Sequence, residues 1–119
     1  AVIDARMGEI YAGSFRRTHA GLVEPIDEER VCAAIALELP AASAWNVIGT
    51  GWGGYAEVIG ERLSTPPRWA DADRYPQARD VARLAAPQFA AGMSTAPELA
   101  LPVYLRDKVA QTLAERGRA

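Results

Sequence analysis

A glycine-rich turn near the middle of the chain has the residue types that bind phosphate in nucleotide enzymes. Its sequence is GTGWGG, residues 49–54, and it lies between an apolar run and a helical pattern. Backbone amides at the start of a helix can hold a phosphate group, and glycine lets a ligand approach the backbone closely. The turn therefore predicts either a nucleotide contact or a connection in which the backbone itself is tightly packed.

The details of this turn favour the connection. The lysine of a phosphate-binding loop is absent from the motif. A tryptophan also stands where a ligand would lie. We interpret the turn first as a tight strand-to-helix connection. The second interpretation is a weak nucleotide contact or a partner surface formed by Gly49, Thr50, Gly51 and Trp52.

Asp4 and Arg6 stand near the head of the chain and could supply a carboxylate and a cation to a reaction. Side chains two residues apart on a strand point to the same face, so these two can also pair with each other. An ion pair or turn-stabilising hydrogen bonds are the more common use of such neighbours. We predict a structural role for both residues.

The single histidine and the single cysteine limit the chemistry of metals and nucleophiles. A metallopeptidase needs several ligands, commonly as a paired H-E-x-x-H motif, and His19 stands alone in a polar turn. Cys32 can form no internal disulfide and belongs to no zinc motif. We predict a buried thiol in a reducing cytosol, with neither a metal nor another cofactor.

The length and the charge of the chain restrict its partners. The chain has 119 residues, half of them hydrophobic, and a net charge of −2. This is enough for one small domain with a single core. A weakly acidic domain has no general attraction to nucleic acid or to an anionic membrane. No apolar run approaches the ~20 residues of a membrane span.

The hydrophobic pattern predicts a β-rich first third followed by a helix. Alternating residues and short turns predict an antiparallel meander of strands over 2–6, 10–17 and 22–26, with Gly8 in the first turn. A helix is then predicted over 27–39, because Val31, Ile35 and Leu39 are spaced four apart. Pro40 ends this pattern.

The rest of the chain predicts an alternation of strand and helix. A buried strand is expected over 45–48, a helix over 55–63, and one short strand within the irregular stretch 66–75. Pro76 suits the start of a helix that reaches about residue 91, with Pro87 kinking it or ending it early and Gly92 following it. The order is β-β-β-α-β-α-(β)-α, which predicts an α/β fold with one mixed sheet and packed helices.

Three stretches of the sequence resemble the bacterial TsaB (YeaZ) family. "AVIDARMGEIYAGSF" at residues 1–15 is similar to the opening of the second lobe in that family, and "VIGTGWGGY" at 47–55 is similar to its strand and glycine turn. "ALPVYLRDKVAQT" at 100–112 resembles the family's C-terminal "PVYLR" signature. The three motifs occur in the order of the family and at similar separations.

The resemblance implies a ribonuclease-H-like lobe of the actin/Hsp70/sugar-kinase superfamily. Residues 1–112 would form the second, C-terminal lobe of a two-lobe protein, and 113–119 a polar tail. Because the family has two such lobes, we expect that the first is absent from this sequence and that the chain is a fragment.

The resemblance also implies a cytoplasmic, non-catalytic role in making N6-threonylcarbamoyladenosine at position 37 of tRNA. The expected partners are a TsaD-like catalytic subunit and a TsaE-like ATPase, with tRNA contacted only indirectly and no membrane involved. Two alternatives remain open. One is a nucleotide-binding or glycoprotease-like enzyme of the same superfamily, and the other is a module that forms a homodimer.

The family motifs add a set of signature residues. In active members of the superfamily a Gly-Gly turn at this place holds adenosine, so residues 49–52 here would be a vestigial nucleotide site or a partner surface. Pro102 predicts an extended entry to the last motif, and Tyr104 is expected to bury its ring against the first hairpin. The signature residues for which we predict a structural role are Asp4, Arg6, Gly8, Pro102, Tyr104 and Arg106.

Overall fold

The structure is a computed structural model that describes residues 1–42 and 44–106. Within these residues the chain forms seven short strands and two α-helices, with one 3₁₀ turn on each side of the helical region. The strands are β1 (Val2–Arg6), β2 (Glu9–Ala12), β3 (Phe15–Arg17), β4 (Val23–Pro25), β5 (Arg30–Ala33), β6 (Asn46–Ile48) and β7 (Trp69–Asp71). The helices are α1 (Thr50–Arg62) and α2 (Ala78–Ala90), and the 3₁₀ turns are Ala34–Ala36 and Pro97–Leu99.

The first sheet has β2 at its centre, with β1 and β5 antiparallel on its two sides. The link from β1 to β2 takes three successive residues with positive φ, Arg6 at 64°, Met7 at 56° and Gly8 at 79°. Only the last of them is glycine, the residue for which this conformation is free of strain. Ile10, in the middle of β2, is fully buried, so this sheet carries the centre of the core.

The predicted meander is confirmed in part: residues 23–25 of the predicted third strand pair antiparallel with residues 15–17 of the second, but the second strand as one continuous element is wrong. Residues 10–17 form two strands, because Gly13 and Ser14 interrupt the ladder. The Gly13 N–H donates to the Ala1 carbonyl, whereas the Ser14 carbonyl accepts from the Ile26 N–H. The chain thus changes partners at this point, and β3 pairs with β4 in a separate hairpin.

The helix predicted over 27–39 is also wrong. Residues 30–33 form β5, which pairs with β2 so that Val31 lies opposite Tyr11 and Cys32 opposite Ile10. The open edge of β2 offers hydrogen bonds that outweigh a weak helical preference in this stretch. Of the apolar residues that follow, Ala34 and Leu37 are buried; Ala34 begins a 3₁₀ turn and Leu37 is the residue directly after it.

The second half of the core is a parallel β6–α1–β7 unit. Asn46, Val47 and Ile48 lie opposite Trp69, Ala70 and Asp71. Helix α1 connects the two strands and packs on β1 and on the first 3₁₀ turn. Seven of the buried residues form one apolar cluster, made of Val2, Ile10, Ala12, Ala34, Leu37, Val47 and Ile59.

The single mixed sheet is replaced by three separately hydrogen-bonded ladders, β1-β2-β5, β3-β4 and β6-β7, among the residues that the structure describes. The packing of α1 across β1 joins the first ladder to the third. The predicted α/β class is therefore confirmed, in the form of a helix that covers one face of an antiparallel sheet, whereas the single mixed sheet is not.

Helix α2 is present close to its predicted bounds, and Gly92 has the positive φ, 76°, of a residue that ends a helix. Pro87 lies inside the helix, which continues for three more residues to Ala90. The large apolar side chains of this helix, Val81, Leu84 and Phe89, are exposed, with Phe89 at 76% of its full accessible area. Neither α-helix of the described ranges has both the length and the apolar character needed to cross a membrane.

Candidate functional site

The glycine turn forms the first part of helix α1. The helix begins at Thr50, five residues before the predicted start, and Tyr55 keeps a non-helical backbone with φ −134° and ψ 23°. The Trp52 N–H donates to the Gly49 carbonyl at 3.0 Å, and the Gly49 N–H donates to the Asp71 carbonyl at 2.9 Å. The turn is therefore tied to the carboxyl end of the neighbouring strand β7.

The first two glycines of the turn are required by the closeness of β1. Gly49 is buried with φ 112°, and a Cβ added to it would overlap the carbonyl oxygen of Val2. A Cβ on Gly51 would lie 3.1 Å from the Val2 carbonyl carbon and 3.2 Å from a methyl group of Ile10. A side chain at either position would push α1 away from the first sheet, so both glycines serve backbone packing.

Asp4 and Thr50 join the first hairpin to this turn. The backbone N–H of Asp4 donates to the Thr50 hydroxyl oxygen at 3.1 Å, across 46 residues of sequence. Trp52 is half-buried and packs against the apolar cluster. The structure therefore brings together Asp4 and the predicted residues 49–52, a contact that no pattern in the sequence indicates.

The carboxylate of Asp4 is engaged by its neighbour Arg6. One carboxylate oxygen accepts from the Arg6 backbone N–H at 2.9 Å, and the other accepts from the Arg6 guanidinium at 3.1 Å. The pairing predicted from the sequence is present, on a β-bulge where the register shifts. This contact fixes the turn that contains Gly8; that these residues have no other role stays a prediction.

Asp71 is a neighbour of the turn that sequence reasoning missed. Its carboxylate accepts from the Arg74 guanidinium at 2.8 Å and from the Asp73 backbone N–H at 2.9 Å. The hydrogen bond from Arg74 holds the pKa of this carboxyl below its ordinary value. The three-residue spacing from Asp71 to Arg74 at the end of a strand was the available signal.

The C-terminal signature is held to the first sheet by Arg106. Its guanidinium lies 2.5 Å from a carboxylate oxygen of Glu9 and 5.8 Å from the centre of the Tyr11 ring. The prediction for Tyr104 is wrong, because that ring is 82% exposed. Pro102 is exposed as well. The side chain of Arg106, two residues after Tyr104, is long enough to reach strand β2, whereas the Tyr104 ring remains exposed to solvent.

The two residues considered for metal or nucleophilic chemistry, His19 and Cys32, lie on different elements of the fold. His19 is exposed in the link between β3 and β4. Cys32 is half-buried on β5, where desolvation raises the pKa of its thiol. In residues 1–42 and 44–106, no group of three or more His, Cys, Asp or Glu side chains is arranged to hold a metal ion.

Comparison with known proteins gives a consistent set of relatives. The chain is 33% identical over 113 residues to the tRNA threonylcarbamoyladenosine biosynthesis protein TsaB of Escherichia coli, which covers 92% of this chain and 48% of that protein. It is 36% identical to YeaZ from Pseudomonas aeruginosa, with a TM-score of 0.72 over 87% of this chain and 47% of that one.

A second solved structure, an uncharacterized protein with similarity to peptidase YeaZ from Pseudomonas aeruginosa, is 38% identical with a TM-score of 0.74. It covers 88% of this chain and 47% of its own. No protein-family model matches the chain. The chain spans about half the length of the relatives that it matches, 48% of the Escherichia coli protein. Sequence and fold agree over this span, so the chain belongs to the TsaB (YeaZ) family and corresponds to part of the length of these relatives.

Proposed function

We propose that this chain acts as a non-catalytic, activating part of the machinery that makes N6-threonylcarbamoyladenosine at position 37 of tRNA. The observation that carries the proposal is the 33% identity to a protein named for this biosynthesis, over 92% of the chain. In the proposed complex a TsaD-like subunit carries out the transfer, and a TsaE-like ATPase joins it. The chain contacts tRNA only through these partners.

The geometry of the glycine turn supports a role without catalysis. Gly49 and Gly51 face the backbone of β1, and the hydroxyl oxygen of Thr50 accepts a hydrogen bond from the same strand. The carboxylate of Asp4 is paired with Arg6. The residues with the best types for phosphate binding or acid chemistry are thus in contacts that hold the hairpin, the turn and the helix together.

The proposal extends to the fold and the place of action. We assign the chain to the second, ribonuclease-H-like lobe of a two-lobe protein in the cytoplasm. The parallel β6–α1–β7 unit beside an antiparallel hairpin supports this lobe type. The half-length match to the relatives, 47% of the Pseudomonas YeaZ chain, agrees with one lobe out of two.

A chimera tests the function. The half of Escherichia coli TsaB that matches this chain is replaced by the chain itself, and the hybrid is supplied to cells depleted of their own TsaB. Mass spectrometry of tRNA nucleosides should show the modified adenosine restored, and the hybrid should co-purify with TsaD. A soluble hybrid that neither restores the nucleoside nor binds TsaD would contradict the proposal.

The competing function is a nucleotide-binding or glycoprotease-like enzyme, suggested by the words "similarity to peptidase" in the description of one structural relative. Calorimetry of the isolated chain with ATP and with ADP distinguishes the non-catalytic role from the enzyme, because our proposal predicts no heat of binding above the heat of dilution. Micromolar binding, or peptidase activity that is lost with chelator and returns with metal, would favour the enzyme. The Gly54→Val variant, whose added Cβ meets no atom within 4 Å, is the control for binding through the turn.

A further inference from the structure

A shallow groove lies between the β3–β4 hairpin and the segment that follows the second 3₁₀ turn. Phe15 and Pro25, which face each other across the hairpin, form one side. Val103 and Leu105 form the other side. All four are apolar, and Val103 is 79% exposed. An apolar groove that is open to water is a typical docking surface for a polypeptide.

Three successive acidic residues, Asp27, Glu28 and Glu29, also line this groove. Asp27 is neutralised by an ion pair with Arg30. The side chains of Glu28 and Glu29 make neither an ion pair nor a hydrogen bond with the described part of the chain. The groove therefore combines apolar sides with two negative charges that have no ion-pair partner in the described residues, and these charges complement a partner that carries arginine or lysine.

The C-terminal side of the groove is fixed in place but has unused backbone groups. Arg106 anchors the segment to Glu9 on β2. The backbone N–H groups of Val103, Tyr104 and Leu105 donate no backbone hydrogen bond to any residue of 1–42 or 44–106. An extended peptide could pair with such a segment while its side chains enter the groove, which is how peptides add to open strand edges.

We propose that this groove docks an extended segment of a partner protein in which aliphatic residues alternate with arginine or lysine. The aliphatic side chains would contact Phe15, Val103 and Leu105, and the basic side chains would face Glu28 and Glu29. The same carboxylates repel phosphate, so the groove selects a peptide over RNA. This inference concerns a surface remote from the glycine turn and stands independently of the proposed role in tRNA modification.

Fluorescence anisotropy with a labelled peptide, SLRVRLS, tests the proposal on the full 119-residue chain. We expect saturable binding that weakens as salt is raised. The double variant Glu28→Lys, Glu29→Lys should weaken binding roughly tenfold or more, since it reverses two charges that line the groove. Val103→Ser should weaken binding and leave folding intact, because this side chain is largely exposed.

Matched controls separate docking in the groove from general attraction. Glu57→Lys, on the exposed surface of α1, and Val81→Ser, on α2, should bind the peptide as the parent chain does. Peptide SLEVELS should not bind. NMR shifts centred on Phe15 and Leu105 support the proposal, whereas equal loss with the control variants, binding of SLEVELS or shifts centred on α2 overturn it. Dimerisation of the chain that Val103→Ser abolishes would instead make a second copy the occupant and would also overturn it.

Discussion

The guanidinium of Arg106 holds two side chains of strand β2 at once. It lies 2.5 Å from a carboxylate oxygen of Glu9, 97 residues away in the sequence, and 5.8 Å from the centre of the Tyr11 ring. Glu9 and Tyr11 are two residues apart on one strand, so they share a face and can both meet a single planar cation. The contact attaches the C-terminal signature to the central strand of the first sheet.

Replacing Arg106 should loosen this attachment even when the charge is kept. Arg106→Lys removes the planar group that spans both partners, and we expect the free energy of unfolding to fall by about 1 kcal/mol. Arg106→Ala also leaves Glu9 unpaired, and we expect a loss of about 2 kcal/mol. Urea denaturation followed by tryptophan fluorescence measures both values.

An exposed arginine provides the control for that prediction. Arg83 is 3.8 Å from Asp80 on the surface of α2, and Arg83→Ala should change the free energy of unfolding by no more than about 0.5 kcal/mol. A double-mutant cycle that combines Arg106→Ala with Glu9→Gln isolates the pair. A coupling energy near zero would show that the two residues stabilise the fold independently.

The glycine turn makes a second prediction about stability. Gly49→Ala introduces a Cβ that overlaps the Val2 carbonyl oxygen, at a φ of 112°. We expect the free energy of unfolding to fall by about 2–4 kcal/mol, because the substitution combines an unfavourable backbone with overpacking. Thermal unfolding monitored by circular dichroism gives the measurement.

Gly60→Ala is the matched control on the same helix. No atom lies within 4 Å of a Cβ added there, and its φ is not positive. Alanine favours a helix over glycine, so this variant should be as stable as the parent or up to about 1 kcal/mol more stable. Equal destabilisation by the two substitutions would mean that helix content, and not contact with β1, explains the glycines.

Local patterns in the sequence predicted the elements whose signals are local. Strand β7 was expected within 66–75, and α2 with Gly92 after it follows from helical spacing and an end signal. The ion pair of Asp4 with Arg6 likewise depends on residues two apart. In each case the determining contact lies within a few positions along the chain.

Predictions failed where a distant segment decides the local structure. Val31 and Ile35 have helical spacing, yet pairing with β2 makes a strand of the first, and the second is 67% exposed. The reason for Gly49 lies on β1, and the partner of Arg106 lies on β2. None of these contacts leaves a periodic signal in the sequence, because each joins residues from separate parts of the chain.

The difference between the buried sheet and the exposed helix makes a third prediction. Ile10 is fully buried at the centre of β2, and Ile10→Ala should lower the free energy of unfolding by about 2–5 kcal/mol. Phe89 is larger but exposed on α2, and Phe89→Ser should change it by no more than about 0.5 kcal/mol. Urea denaturation measures both losses in the free energy of unfolding. A loss for Phe89→Ser close to that for Ile10→Ala would show that α2 packs on the core.

The thiol of Cys32 makes a prediction about pH. Desolvation raises its pKa above the ordinary value of 9.0, nearby Arg30 opposes the rise, and Glu9 and Glu38 add to it. Alkylation by iodoacetamide depends on the thiolate, so its rate should increase at a higher pH than for a small free thiol. Glu38→Gln removes one of the negative charges that raise the pKa of the thiol. This variant should therefore lower the pH at which the alkylation rate reaches half its maximum, the midpoint of the pH profile. A midpoint equal to that of the free thiol, measured by mass spectrometry, would contradict the prediction.

The same shift determines how stability depends on pH. Because the folded chain keeps the Cys32 proton to a higher pH than the unfolded chain does, this residue stabilises the fold below the unfolded pKa and loses its contribution as pH rises through the folded pKa. As pH rises above the ordinary thiol pKa of 9.0, the parent should therefore lose more stability than Cys32→Ala, which has no proton to release. Parallel losses in urea denaturation would show that another group controls this range.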